Sequence, residues 1–238
     1  MKPRVRWYQA LLPCLGMVIL FYAYPAYAVD ITKCSMVAEG PAQIISFGAE
    51  QNDGRPVTLQ GILTLPSGPG PYPAIVMLSG GGGLSTPYCY RFWVDRFASW
   101  GYAILIVAGT TAHDVAGKNL LDYSFLDQAN YAHGALSALA TISKVDVTRI
   151  AVWGFSRGAI AAIEVASGRR QDVRKFRAVI AAAPVCPATE IRPHTPLLVM
   201  IGNEDAIHSA SSCVAYASKL KEAKGFEFQL LPGAKHVF

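Results

Sequence analysis

The sequence predicts an α/β protein, built on a mostly parallel, doubly wound sheet flanked by helices. Three observations carry this. Short apolar runs alternate along the chain with longer stretches of helical character, and that alternation builds parallel sheets through right-handed crossovers. Gly154-Phe155-Ser156-Arg157-Gly158 stands between an apolar run, Arg149 to Trp153, and a helix-compatible run, Ala159 to Ala166. Asp205 and His236 each fall just past the C-terminal end of a later apolar run, the edge along which open parallel sheets place their sites.

In chain order, Ala42 to Phe47 and Val57 to Leu65 read as strands, an antiparallel pair at the start of the sheet. Ser67-Gly68-Pro69-Gly70-Pro71-Tyr72-Pro73 is turn-rich and reads as the loop into the first parallel strand. Ala74 to Leu78, Ala103 to Val107, Arg149 to Trp153, Arg177 to Ala182, Leu197 to Ile201 and Phe226 to Leu231 are short and apolar, as strands buried on both faces are. Between them, Tyr90 to Trp100, Leu126 to Ser143, Ser156 to Ser167 and Ser209 to Lys224 read as helices.

Strand, Gly-x-Ser-x-Gly, helix is the context of a nucleophile elbow. The turn is tight enough that only glycines fit at its flanks, and it holds the Ser156 hydroxyl out past the strand. The N-terminal N–H groups of the next helix face any anion formed there. A serine hydroxyl is a weak nucleophile at neutral pH, so it needs a base, and the base needs an orienting acid. The acid competes between Asp205 and its neighbour Glu204, and Asp205 capping the following helix is the structural alternative. His236 is the base candidate, in competition with His113, His133, His194 and His208. His208 stands too close to Asp205 in sequence to be the natural third member. His113, His133 and His194 read as surface residues, with His113 also placed to line a pocket.

Gly80-Gly81-Gly82-Gly83 follows a strand. No Gly-Lys-Ser/Thr and no Gly-x-Gly-x-x-Gly helix start accompanies it, so a phosphate cradle fits poorly. An oxyanion hole fits better, with donors from the Arg157 and Gly81 backbone N–H groups and Gly82 as the neighbour of Gly81. Tyr88, Tyr90, Phe92 and Trp93 form an aromatic cluster that reads equally as an acyl pocket rim or as core packing.

These motifs, from Leu78-Ser79-Gly80-Gly81-Gly82-Gly83 through Gly154 to Gly158 and Ile201-Gly202-Asn203-Glu204-Asp205 to Pro232-Gly233-Ala234-Lys235-His236-Val237-Phe238, resemble the dienelactone hydrolase-like family of the α/β-hydrolase superfamily. Trp100 to Val107 resembles that family's next helix end and strand, and the resemblance runs from about Val57 to Phe238. It implies an α/β-hydrolase fold, the acid at Asp205, and ester hydrolysis through an acyl-enzyme. Two departures stand out. The family has histidine where Ser79 stands. Its namesake enzymes use a cysteine nucleophile, so Ser156 is similar to the serine-esterase members. The family also continues into a C-terminal helix, which is expected to be absent here, with the chain end fraying near His236.

The connections are compact, so no large lid is expected. Gly109 to Phe125 is the one span long enough to shape a wall, and its small and polar residues point to an open site for short acyl groups. The expected function is an exported serine hydrolase of carboxylic esters. The alternatives are a non-catalytic binding protein of the same fold, or a peptidase. The expected partner is a small-molecule ester, with no cofactor and no metal.

Met1 to Arg6 is basic, Leu11 to Tyr24 is apolar, and Ala26-Tyr27-Ala28 has the small-x-small form of a cleavage site. Residues 1–28 therefore read as a secretory signal peptide, leaving one domain over 29–238 in a secreted or periplasmic protein. The apolar stretch is short and interrupted by Pro13 and Pro25, whereas a spanning helix needs about 20 apolar residues, so no stable membrane insertion is expected after cleavage. Residues 1–28 hold Lys2, Arg4 and Arg6 and no acid, so cleavage lowers the net charge from +5 to +2. The densest remaining basic stretch, Arg169 to Arg177, reads as a solvated face, and no nucleic-acid surface is expected.

Four cysteines then remain: Cys34, Cys89, Cys186 and Cys213. An even count in an exported chain points to disulfides. Cys186 with Cys213 is the favoured pair because both lie near the C-terminal edge of adjacent strands. Cys34 with Cys89 follows by elimination, and buried free thiols are the alternative. Neither Cys-x-x-Cys nor paired-histidine spacing accompanies them as a zinc site would require.

Overall fold

A computed structural model describes residues 42–81, 90–107, 124–170 and 174–238. Eight strands form one sheet: β1 (Ala42–Glu50), β2 (Pro56–Thr64), β3 (Tyr72–Leu78), β4 (Ala103–Val107), β5 (Val145–Phe155), β6 (Ala178–Ala182), β7 (Leu197–Gly202) and β8 (Phe226–Leu231). Their spatial order is β1-β2-β4-β3-β5-β6-β7-β8. β2 runs antiparallel to both β1 and β4, and every other neighbouring pair is parallel. Four helices accompany the sheet among the described residues: α1 (Tyr90–Ser99), α2 (Phe125–Leu139), α3 (Arg157–Ala166) and α4 (Ala210–Leu220).

The central strands β3, β4, β6 and β7 read as continuous apolar runs because both faces of the sheet are covered there. Residues alternate between two cores with the period-two geometry of a strand. Val76 and Leu78 of β3, Leu105 of β4, Val152 of β5, Val179 of β6 and Val199 of β7 pack toward Tyr131 and Leu136 of α2, Ile163 of α3 and Tyr216 of α4. Ile75, Met77, Ile104, Trp153, Ile180 and Met200 point the other way, toward Val94 and Phe97 of α1. Trp93 joins that second core, with its ring 5.6 Å from Phe97 and 5.9 Å from Trp153, whereas Phe92 is exposed. Core packing is thus the structural role of Trp93. Tyr88 and the Tyr90 side chain lie outside the described residues.

Several element ends differ from the sequence expectation, among them those of α2, α4 and β5. α2 starts a residue earlier than expected because Ser124 and Asp127 form a reciprocal capping box. It also stops at Leu139, and the chain turns through Ala140 to Lys144 before β5. α4 ends at Leu220, followed by a turn closed by Gly225 at φ +81, a value glycine adopts without steric cost. β5 begins at Val145, with polar Asp146 and Thr148 at its solvent-facing start. Among the described residues no helix is long and apolar enough to cross a membrane. Residues 1–28, Cys34, Cys89, Gly82, Gly83, His113 and residues 109–123 of the wall span Gly109 to Phe125 lie outside the described residues.

Candidate active site

The site assembles at the C-terminal ends of β5, β7 and β8. β5 ends at Phe155 and α3 begins at Arg157, leaving Ser156 alone to turn the chain. Its backbone sits at φ 53, ψ −117, a region that costs a non-glycine residue about 1–3 kcal/mol. Close packing enforces the turn. A Cβ on Gly154 would collide with the Gly158 carbonyl, and a Cβ on Gly158 would collide with the Leu78 carbonyl at the end of β3. The Ser156 N–H donates to the Ala182 carbonyl at 2.9 Å, which ties the elbow to β6.

Asp205 and His236 arrive on two loops that hold each other. The Gly233 N–H donates to Asn203 Oδ1 at 2.7 Å. The Glu204 N–H donates to the Ala234 carbonyl at 3.0 Å. Gly202 permits the approach, since a Cβ there would strike that same Ala234 carbonyl. His236 is 5% exposed, and Val237 and Phe238 pack on the second core. His236, Val237 and Phe238 are therefore seated against the sheet, where the sequence led us to expect fraying.

His236 Nδ1 lies 2.8 Å from Asp205 Oδ2, and His236 Nε2 lies 3.1 Å from Ser156 Oγ. A carboxylate only accepts, so Nδ1 carries the proton and Nε2 offers its lone pair to the Ser156 hydroxyl. The Asp205 side chain is fully buried. Its other oxygen, Oδ1, accepts from the Ile207 N–H at 2.9 Å and the His208 N–H at 2.8 Å. Asp205 thus organises a turn, while α4 starts later behind Ser209. Glu204 is exposed.

The glycine loop lies over the elbow. A Cβ on Gly80 would stand 3.3 Å from Ser156 Cβ, while one on Gly81 would meet nothing within 4 Å. Of the two described glycines of this loop, Gly80 is the one that approaches Ser156, with Gly81 next along the chain. The Arg157 N–H, at the start of α3, is the donor expected from the elbow itself. One buried polar side chain, that of Gln128, supports the loop at Ser79, the position where the resemblance leads one to expect histidine. Gln128 of α2, 2% exposed, donates through Nε2 to the Ser79 carbonyl at 2.8 Å, and Ser79 is 1% exposed. A glutamine on the apolar face of a predicted helix was the available signal for Gln128.

The other histidines separate clearly. His133 is half-buried on α2 with its ring 5.6 Å from Phe176, so the expected surface placement does not hold for it: the inward face of α2 carries it under the Phe176 segment. His194 is exposed. His208, set aside on sequence proximity, stands beside the site with its ring 4.7 Å from that of His236. Asp205, His208 and His236 each bring one possible metal-ligating atom within 4.8 Å of the others. Both oxygens of Asp205, both ring nitrogens of His236 and Nδ1 of His208 are already engaged in the hydrogen bonds described. Behind the site, Cys186 and Cys213 are joined by a disulfide with Cα atoms 4.9 Å apart.

Comparison with known proteins adds a family to this geometry. The sequence profile of the FrsA-like esterases matches residues 41–189, more than half of the chain. The esterases FrsA of Escherichia fergusonii and Escherichia coli are each 32% identical over 133 residues, covering 56% of this chain and 30% of theirs. The match therefore spans under a third of those relatives' length. A Klebsiella pneumoniae protein assigned as a dienelactone hydrolase superposes with a TM-score of 0.63 at 16% identity, over 82% of this chain and 88% of its own. Porphyromonas gingivalis dipeptidyl peptidase 4 superposes with a TM-score of 0.62 at 18% identity, over 83% of this chain and 32% of its own. At such identities the likeness shows the fold alone. With its strand order and the family profile taken together, the chain has the α/β-hydrolase fold and belongs to the FrsA-like esterase family.

Proposed function

We propose that this protein is an exported serine hydrolase of short-chain carboxylic esters. The observation that carries the reading is the chain of two hydrogen bonds from Asp205 Oδ2 through His236 to Ser156 Oγ, on a hydroxyl held out by a strained elbow. In this reading Ser156 Oγ attacks the ester carbonyl while His236 Nε2 takes its proton. Asp205 keeps Nδ1 protonated and offsets the charge of the imidazolium. The backbone N–H groups of Arg157 and Gly81 are the donors expected for the oxyanion. His236 then returns the proton to the leaving alcohol. Water attacks the acyl-enzyme with His236 as base, which restores the Ser156 hydroxyl. The buried acid and the seated histidine loop favour catalysis over a binding role.

Export and the preference for short acyl groups rest on the sequence: the basic and apolar start with Ala26-Tyr27-Ala28, and the small, polar composition of Gly109 to Phe125. The test is hydrolysis of p-nitrophenyl esters over a series of acyl lengths. The expected result is highest kcat/KM on short chains, with Ser156→Ala lowering kcat by a factor on the order of 10⁴ or more. Activity surviving in Ser156→Ala would defeat the nucleophile, and specificity rising steadily to long chains would defeat the open site.

A further inference from the structure

We propose that His208 is a positioning residue for this site: its imidazole clamps the acid loop to the end of β6 and so holds the Asp205 carboxylate against His236. The proposal rests on the reading of Ser156, His236 and Asp205 as a catalytic triad.

The clamp is a hydrogen bond between His208 Nδ1 and the Ala183 carbonyl, at 2.8 Å. A carbonyl oxygen only accepts, so Nδ1 carries a proton and donates it to this bond. Ala183 is built for this contact. It is a non-glycine residue at φ 53, and its N–H is fixed on the Met200 carbonyl at 2.7 Å. Its carbonyl leaves the β6 ladder and meets the acid loop. The preceding carbonyl, that of Ala182, accepts the Ser156 N–H. Two successive carbonyls at one strand end therefore hold the nucleophile and the acid loop in fixed relation.

The backbone of His208 is as involved as its ring. Its N–H donates to Asp205 Oδ1 at 2.8 Å, so the side chain anchors the residue whose amide holds the carboxylate. Burial does not do this work. Ala206 and Ser209 are exposed, and Ile207 is 62% exposed. The turn is held by its hydrogen bonds, and the disulfide at Cys213 restrains the same segment only five residues further on. The His208 ring also stands edge-on to His236, with rings 4.7 Å apart at 83°. Phe155 packs on His236 with its ring centroid 5.2 Å away. His236 is thus confined from two directions. A residue that only filled space here would need no donor at Nδ1.

The discriminating experiment uses steady-state ester hydrolysis by the full chain carrying His208→Asn, His208→Gln or His208→Ala. Asparagine places its amide N–H where Nδ1 stands, and glutamine places its own where Nε2 stands. Misplacement by about 1 Å costs up to ~100-fold in rate, so His208→Gln and His208→Ala are expected to lose kcat by about 10- to 100-fold with KM unchanged. His208→Asn is expected to recover most of that loss at similar thermal stability. Equal activity of the Asn and Gln variants, wild-type kcat in His208→Ala, or a loss confined to KM would overturn the clamp. If the Ala variant does not fold, the Asn and Gln pair still decides. Wild type and Ser156→Ala run alongside. An inactive wild type defeats the hydrolase reading, whereas an active wild type, a dead Ser156→Ala and an indifferent His208 series defeat the clamp alone.

Discussion

Gly202 shows how one missing side chain sets the geometry of the site. The Ala234 carbonyl occupies the space a Cβ would need, and that carbonyl belongs to the loop that delivers His236. Gly202→Ala is expected to push this loop outward. Backbone cannot rotate away as a side chain can, so the cost is about 1–3 kcal/mol; urea denaturation measures it, and kcat should fall at the same time. A second residue gives a pH signature away from the site. Asp146 accepts from the Thr148 hydroxyl at 2.6 Å, from the Arg149 guanidinium at 2.6 Å and from the Thr148 N–H at 2.9 Å. These bonds, Thr148 foremost, lower its pKa from 3.8 to about 2. A depressed carboxyl stabilises the fold above its unfolded value and loses that contribution as pH falls from about 4 toward 2. After allowance for solvent screening the effect is about 1 kcal/mol. Asp146→Asn should therefore lower Tm at pH 7, and the difference from wild type should shrink as pH falls from about 4 toward 2. A constant difference across that range would mean the carboxylate charge is not what matters. At this scale Ser156, Asp205 and His236 were legible because their motifs are local to strand ends. His208 was not, because its meaning depends on the Ala183 carbonyl, 25 residues away, and no local pattern announces such a contact.

α4 is held to the segment after β6 by three ties. Cys213 bonds Cys186, the Tyr216 hydroxyl donates to the Ile191 carbonyl at 3.0 Å, and Lys219 Nζ donates to the Ala188 carbonyl at 2.6 Å. Their common effect is to brace an irregular stretch that no strand or helix supports. Removing the disulfide by Cys213→Ser is expected to cost about 2–4 kcal/mol, read as a shift in the denaturation midpoint. Tyr216→Phe leaves the Ile191 carbonyl without its donor and should cost about 0.5–1.5 kcal/mol. Burial, with Glu190 nearby, pushes the Tyr216 phenol up to about 12 from 10. A raised phenol contributes stability that is present below pH 10 and is lost as pH climbs toward 12. Tyr216→Phe should therefore weaken the alkaline unfolding limb. The order of elements was legible because the buried parallel strands β3, β4, β6 and β7 are short and apolar, and β4 and β8 keep the bounds read from the sequence. Helix ends were less so. Ala140 to Ser143 continues the composition of α2 although the chain has already turned toward β5, and composition does not record that a strand must start at Val145.

At the scale of the molecule, two cores on opposite faces of one sheet make a rigid platform, and the site sits where three strand ends meet. The family profile stops at residue 189. It therefore includes Ser156 and excludes Asp205 and His236, so the acid and the base rest on motif, register and hydrogen-bond geometry. The export reading makes a separate claim about the whole chain. If both disulfides form, the mature protein denatured without reductant should show no free thiol, and four free thiols would contradict the compartment and the pairing together. The central claim is that Ser156 is an activated nucleophile, and the direct measurement is reaction with a fluorophosphonate followed by mass analysis of the digested protein. The account predicts one adduct on the folded protein, located at Ser156 and absent from Ser156→Ala and from heat-denatured protein. A folded, unlabelled protein, or an adduct at another residue, would contradict it.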